Sequence, residues 1–212
     1  MARLAPPLAA VLLATAFLVA GCGSSAAGVA APPTAKRTFA GAGLNPPRSA
    51  PAIALHDASG TAVTLAGQRG RYVLVTFLYT HCPDVCPLIA SNLNAAVRAL
   101  GAKRSDVRVL AVSVDPKGDT PGAVRAFARR MHLVSEFRFL IGSAPELRRV
   151  WAAWHVLSVK QSPGVVDHVA YTALVDPAGE ERVLYGSDVH ARDVVHDLRT
   201  LMRRAGSTST RA

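Results

Sequence analysis

The apolar positions of this chain change their spacing from segment to segment, and the spacing predicts the elements. "RYVLVTFLYT" (71–80) and "VRVLAVSVDP" (107–116) are apolar and β-branched almost throughout, as strands buried on both faces are. "FRFLIG" (137–142) is a shorter strand of the same kind. Between them, "PLIASNLNAAVRAL" (87–100) sets Leu88, Leu93, Ala96, Val97 and Leu100 at helical spacing. "DTPGAVRAFARRM" (119–131) reads as a second helix, with Thr120 as N-cap and Pro121 at its first position. "SAPELRRVWAAW" (143–154) reads as a third, opened by a capping box of Ser143 and Glu146. "AIALHDASGTAVTL" (52–65) predicts a hairpin turning at Asp57 to Gly60. "HVAYTALVDPAGEERVLYG" (168–186) is a strand, a Pro-Ala-Gly turn and a second strand, and "ARDVVHDLRTLMRRAG" (191–206) is a closing amphipathic helix. The sum is an α/β sandwich: a central mixed sheet flanked by helices, with an N-terminal hairpin.

The start of the chain has another pattern. "MARLAPPLAAVLLATAFLVAGC" carries one positive charge at Arg3 and an apolar run from Leu8 to Ala20. That run is short of the roughly 20 residues a bilayer span needs and has the length of a signal-peptide core. It ends in Val19-Ala20-Gly21-Cys22, which resembles a bacterial lipobox, with cleavage before Cys22 and a lipid on its sulfur. An ordinary secretory signal followed by a chance cysteine is the alternative. "GSSAAGVAAPPTAKRTFAGAGLNPPRSAP" (23–51) has little to bury and reads as a flexible tether. The expected layout is a signal peptide over 1–21, a tether over 22–51, a folded domain over 52–205 and a disordered tail over 206–212. The expected location is the extracytoplasmic face of a bacterial membrane, with the lipid at Cys22 as anchor.

Charge adds little. The net +10 comes mostly from arginine, in doublets such as Arg129-Arg130, Arg148-Arg149 and Arg203-Arg204 on predicted helices. They read as solvated helix faces, with anionic lipid or an acidic partner as the alternative. No aromatic residues interleave with them as on a nucleic-acid surface, so a nucleic-acid partner is not expected.

Cysteine is more informative. Of three cysteines, the anchor would consume Cys22, leaving Cys82 and Cys86 in "FLYTHCPDVCPLIA". They stand where a buried strand meets a helix, the place where open α/β sheets set their functional groups. An offset of four brings two helical side chains onto one face about 6 Å apart, close enough for a disulfide or for two thiolates on one ion. A helix N-terminus lowers a thiol pKa, so the segment makes good thiolates for either task. The order of elements resembles a thioredoxin-like fold. Oxidoreductases of that type space their cysteines by two residues, and here Pro83, Asp84 and Val85 make three. They also place a cis-proline before the strand that faces the thiols, where this chain has Asp167-His168. His168 is therefore expected opposite Cys82 and Cys86. Two thiolates and an imidazole select Cu(I) and can also hold Cu(II), whereas structural zinc normally takes a fourth ligand.

"FLYTHCPDVCP", "VSVDPKGDTP" and "HVAYTALVDPAG", in that order, resemble the Sco (SenC-type) family of copper chaperones for cytochrome c oxidase assembly. The resemblance covers about Ile53 to Ala205. It implies that Cys82, Cys86 and His168 are copper ligands on a thioredoxin-like fold, and that the client is the dinuclear copper centre of oxidase subunit II. Other copper chaperones or thiol reductases are further partners it suggests. Some family members act more as thiol reductases towards that subunit, so a thiol–disulfide oxidoreductase with Cys82 and Cys86 as its redox pair stays open. A purely structural disulfide would gain little from so short a loop. A peroxidase would need an arginine and a threonine around a single attacking cysteine, which the segment lacks.

The neighbouring polar residues carry two readings each. Asp84 is a helix cap or a group tuning the metal loop, and Asp115 is turn chemistry with Pro116 and Gly118 or a support for the ligands. Asp119 belongs to the same family pattern. His81 reads as a loop residue rather than a ligand, since the resemblance places no ligand beside the first cysteine, and it could still help depress a thiol pKa. His56, His132, His155, His190 and His196 read as surface or core histidines, Trp151 and Trp154 as packing, and Tyr79 and Tyr171 as shields of the site.

Overall fold

A computed structural model of the chain describes residues 38–156, 160–162, 165–167 and 170–209. The two central strands arise from their sequence. β4 (Tyr72–Leu78) is buried at every position, and β5 (Val107–Ser113) at all but Arg108. With β6 (Phe137–Ile141) they form the parallel heart of an eight-stranded mixed sheet. Helices α1 (Val85–Ala99), α2 (Pro121–Arg130), α3 (Ala144–Ala153) and α4 (Ala191–Ser209) flank the sheet, and α1 packs against α4. The predicted hairpin is β2 (Ala54–Asp57) with β3 (Ala62–Thr64), joined to the sheet through β6. On the other side lie β9 (Thr172–Val175) and β10 (Glu180–Tyr185), with β9 antiparallel to β4. At the outer edge, β1 (Ala42–Ser49) pairs with β10. The strand order is β1-β10-β9-β4-β5-β6-β2-β3, and β7 (Lys160–Ser162) and β8 (Val165–Asp167) pair separately. This is the mixed sheet between helices that the periodicities predict, a thioredoxin-like arrangement.

The helix starts are local. Thr120 Oγ1 accepts the Ala123 amide at 3.2 Å. Glu146 Oε2 accepts the amide and hydroxyl of Ser143 at 2.8 and 2.6 Å. Such caps contribute about 1 kcal/mol each.

Two boundaries differ from expectation. The sequence pattern predicts a tether as far as residue 51, yet Ala42–Ser49 is a strand, antiparallel to β10 at the sheet's edge. A register shift between Gly43 and Arg48 accommodates Pro46 and Pro47, which an edge strand tolerates. The segment buries little of itself, so hydropathy gives no sign of it. Its ladder with β10 holds it, and the chain just before it is held by the carboxylate of Asp197 on α4, fully buried, which accepts the amides of Ala40 and Gly41 at 2.7 and 3.0 Å. A Cβ at Gly41 would lie 2.5 Å from Val183 and 2.7 Å from the Tyr185 ring, so only glycine lets the chain pass this close. At the other end, α4 continues through Gly206 to Ser209, into the tail expected from 206. One glycine costs about 1 kcal/mol in a helix, too little to stop a long one by itself.

Candidate metal and thiol site

β4 and β5 run parallel and end together, Leu78 beside Ser113, and the Val114 amide donates to the Leu78 carbonyl at 3.0 Å. The segment 79–84 crosses this end of the sheet into α1. Cys82 lies in that crossing and Cys86 at the second residue of α1, so only Cys86 is helical. The Cys86 amide, one of the free donors of the first turn, points at Cys82 Sγ from 3.3 Å. Both cysteines are free thiols, joined by this bond from the amide of one to the sulfur of the other.

The two sulfurs are unequal. Cys82 is 7 % exposed and Cys86 is fully buried. Burial pushes the Cys86 thiol up, and its hydrogen bond with Cys82 and the negative charge of Asp119 add to the shift, against a backbone hydrogen bond from Tyr79. Cys86 therefore keeps its proton, while Cys82 accepts the helix amide and has the remaining access to solvent.

The crossing is pinned from below. Asp119, 3 % exposed, accepts the amide and the hydroxyl of Thr80 on Oδ1, both at 2.8 Å, and the hydroxyl of Ser113 on Oδ2 at 2.5 Å. Burial pushes its carboxyl up, and these three donors offset part of that. Arg130 donates to the Thr80 carbonyl at 3.3 Å with its guanidinium 5.3 Å from the Phe127 ring centroid. Half of a doublet that reads as a solvated helix end thus holds the thiol loop. The Asp119–Thr80 and Arg130–Thr80 bonds span 39 and 50 residues, and no local pattern signals them.

The other expected residues divide. Asp84 occupies the N-cap position of α1 but makes no capping hydrogen bond, and its backbone (φ −136°, ψ −87°) is the reason the cap is not formed. Asp115 makes a turn, Oδ1 accepting the amides of Lys117 and Gly118 at 3.2 and 3.0 Å. His81 is exposed, with Nδ1 3.1 Å from Thr80 Oγ1. Trp151 Nε1 donates to the Ser113 carbonyl at 2.9 Å, and Trp154 packs 6.0 Å from Phe77, so both tryptophans serve packing. Tyr171, 5.5 Å from Phe77, donates its hydroxyl to the Trp154 carbonyl at 2.5 Å, and burial above all pushes its phenol up to about 12. Tyr79 is buried in the core. His168 and Cys22 lie outside the described residues. Among the described residues no three His, Cys, Asp or Glu side chains converge as a metal site. β9 runs antiparallel to β4 with Thr172 opposite Thr76, so the chain entering β9 comes from the end of the sheet that carries Cys82.

A buried pair of free thiols at a helix start is a soft two-sulfur donor set and also a dithiol able to close to a disulfide. The comparisons agree with this chemistry. The SCO1/SenC family model matches residues 44–203. The protein SenC of Rhodobacter capsulatus is 31 % identical over 175 residues, covering 79 % of this chain and 78 % of that one. The solution structure of apo Sco1 from Thermus thermophilus superimposes with a TM-score of 0.67 at 35 % identity, covering 79 % of this chain and 99 % of that one. The structure of Bradyrhizobium japonicum ScoI with copper bound gives 0.62 at 28 % identity, covering 71 % and 98 %. Two free thiols at the mouth of α1, on this sheet and within this match, make the chain a member of the SCO1/SenC family.

Proposed function

We propose that this protein is a membrane-anchored metallochaperone that carries Cu(I) on Cys82, Cys86 and His168 and delivers copper to the dinuclear copper centre of cytochrome c oxidase subunit II. The observation that carries the reading is the pair of free thiols at the start of α1, with the Cys86 amide donating to Cys82 Sγ at 3.3 Å, one sulfur reachable and one buried. Two thiolates match a soft monovalent ion, and burial excludes the water and oxidants that would compete for it. The entry of β9 from the same end of the sheet supports His168 as the third ligand. The copper-bound ScoI relative supports copper as the cargo. Among the described residues no helix is long and apolar enough to cross a membrane, and the anchor in this reading is a lipid on Cys22, set free by removal of a signal peptide over 1–21 and followed by a tether.

Anaerobic titration of the reduced full chain with Cu(I) tests the reading. One equivalent should bind tightly in the wild type, with affinity falling about 10-fold or more in His168→Ala and collapsing in Cys82→Ser. Binding indifferent to both substitutions would overturn it.

The pairing of two free thiols at the helix start also favours a second reading, a thiol–disulfide oxidoreductase acting on the same client. The Cys82 thiolate would attack a client disulfide and release one client thiolate. The Cys86 thiol would then give up its proton and displace the second, leaving Cys82–Cys86 oxidised by the two electrons the client gained. A thiol reductase would restore the pair. The two readings are compatible, because only the reduced pair takes copper.

A further inference from the structure

The Thr80 hydroxyl has one proton, and it goes to Asp119 Oδ1, an oxygen that also accepts the Thr80 amide. Towards His81 Nδ1, 3.1 Å away, that hydroxyl can only accept. The Nδ1 position is therefore protonated, and in the neutral ring the lone pair lies on Nε2. Nδ1 faces Thr80, which is buried, so Nε2 is the far corner of an exposed side chain. The result is a series Nδ1–H to hydroxyl to buried carboxylate. Metal-binding imidazoles use such a series to fix their tautomer, aim the ring and raise the basicity of the other nitrogen. Space is kept for the ring at Gly118: a Cβ there would run into the Asp115 carboxylate and stand 3.3 Å from His81 Nδ1.

The two sulfurs beside it present the opposite problem. They are suitable donors, but Cys86 is closed to solvent and Cys82 is only 7 % exposed, so a Cu(I) ion still held by another molecule meets the exposed His81 more readily than either sulfur. Among the described residues the imidazole does not converge with both sulfurs, so it is not a standing member of their site. Its place is the step before it. We propose that His81 is a transit ligand for Cu(I), its Nε2 taking the ion from an incoming donor at the surface and passing it to Cys82, and the reverse on release. The exchange is redox-neutral: Cu(I) gains the Nε2 lone pair while a donor ligand leaves, then gains the Cys82 thiolate as Nε2 leaves. The proposal rests on the copper reading of the dithiol.

A transit ligand lowers the barrier in both directions and leaves the end states alone. The test is stopped-flow transfer of Cu(I) from its bicinchoninate complex to the reduced full chain, with release measured on adding excess bicinchoninate. His81→Asn keeps an N–H for Thr80 and removes the Nε2 lone pair. It is expected to slow uptake and release alike, by about 10-fold or more, with Kd unchanged. Thr80→Val should slow both in the same direction by freeing the ring, and Thr80→Ser should restore them. In the copper-free protein, nitrogen-15 spectra should show His81 protonated at Nδ1. Unchanged rates, an Nε2–H tautomer, or a Kd that weakens in step with uptake alone would overturn the proposal while leaving the copper reading standing. Failure of the wild type to bind Cu(I) would overturn both.

Discussion

Replacing Asp119 separates what the buried carboxylate holds from what its own burial costs. In Asp119→Ala the Thr80 amide, the Thr80 hydroxyl and the Ser113 hydroxyl all lose their acceptor. Thr80 and Ser113 are buried, so water cannot replace it. A buried donor left without a partner costs about 1–3 kcal/mol. The amide cannot turn away, whereas the two hydroxyls can rotate towards other acceptors, so a loss of about 3 kcal/mol is expected. Asp119→Asn keeps Oδ1 for both Thr80 donors and should cost about 1 kcal/mol. The two variants also differ from the wild type in their response to pH. Burial, its largest influence, raises the folded carboxyl above the ordinary carboxylate value. A raised acid contributes stability that is complete below the unfolded value and is lost as pH rises through the folded one. The wild type therefore loses stability relative to Asp119→Asn on going from acid to neutral pH, and the cost of the Asn substitution should shrink across that range. Urea unfolding of the reduced full chain, monitored by far-ultraviolet circular dichroism from about pH 4 to about pH 7.5, measures both effects. An Ala variant within about 0.5 kcal/mol of the wild type, or an Asn penalty that grows with pH, would refute the reasoning.

Three further outcomes are expected from the geometry. Iodoacetamide applied to the native, reduced protein should modify Cys82 and spare Cys86, whose thiol is fully buried and pushed up; peptide mass mapping showing equal labelling would contradict this. Asp197→Ala should detach the chain before β1 and strand the Tyr185 hydroxyl, which donates to Asp197 at 3.0 Å, at a cost of about 3 kcal/mol, with hydrogen exchange rising at Ala40 and Gly41; unchanged exchange there would show that the carboxylate does not hold the segment. Tyr171→Phe removes only the hydroxyl bonded to the Trp154 carbonyl and should lower stability by about 1 kcal/mol while leaving thiol reactivity unchanged, and altered alkylation of Cys82 would count against a packing role.

The parts of the fold legible in the sequence are those whose information is local. β4 and β5 carry continuous apolar runs because helices cover both faces, and Thr120 and Ser143 announce their helices within a single turn. The cysteine pair is legible for the same reason, since the end of an apolar run and the start of a helical one bracket it. β1 is not legible: Gly41, Gly43, Pro46 and Pro47 leave no alternation, its ladder partner β10 lies far along the chain, and the residue before it is tied to Asp197, 157 residues beyond Ala40. The pinning of Thr80 is hidden likewise, because Asp119 and Arg130 look like a turn residue and a solvated arginine until the chain brings them under the thiol loop. Asp84 shows the converse, a local signal that the backbone does not use.

The inequality of the two cysteines decides how either function would begin. Cys82 precedes the helix and receives its amide, whereas Cys86 is inside the first turn and sealed beneath it. A metal ion and a client disulfide must therefore both form their first bond with the protein's sulfur at Cys82, and both need that sulfur held still at the surface end of the pair. Asp119 and Arg130 supply the hold by fixing the amide, hydroxyl and carbonyl of Thr80, two residues earlier, without touching the sulfur. The fold prepares a first encounter, and the second step depends on which species arrives. An ion draws the Cys86 thiol in as a second ligand with loss of its proton, while a disulfide draws it in as the resolving nucleophile. A substitution that loosens Thr80 should therefore weaken both reactions together. One that removes the third ligand, His168 in the proposed set, should weaken copper binding and leave disulfide exchange in place, and that difference separates the two functions in a single protein.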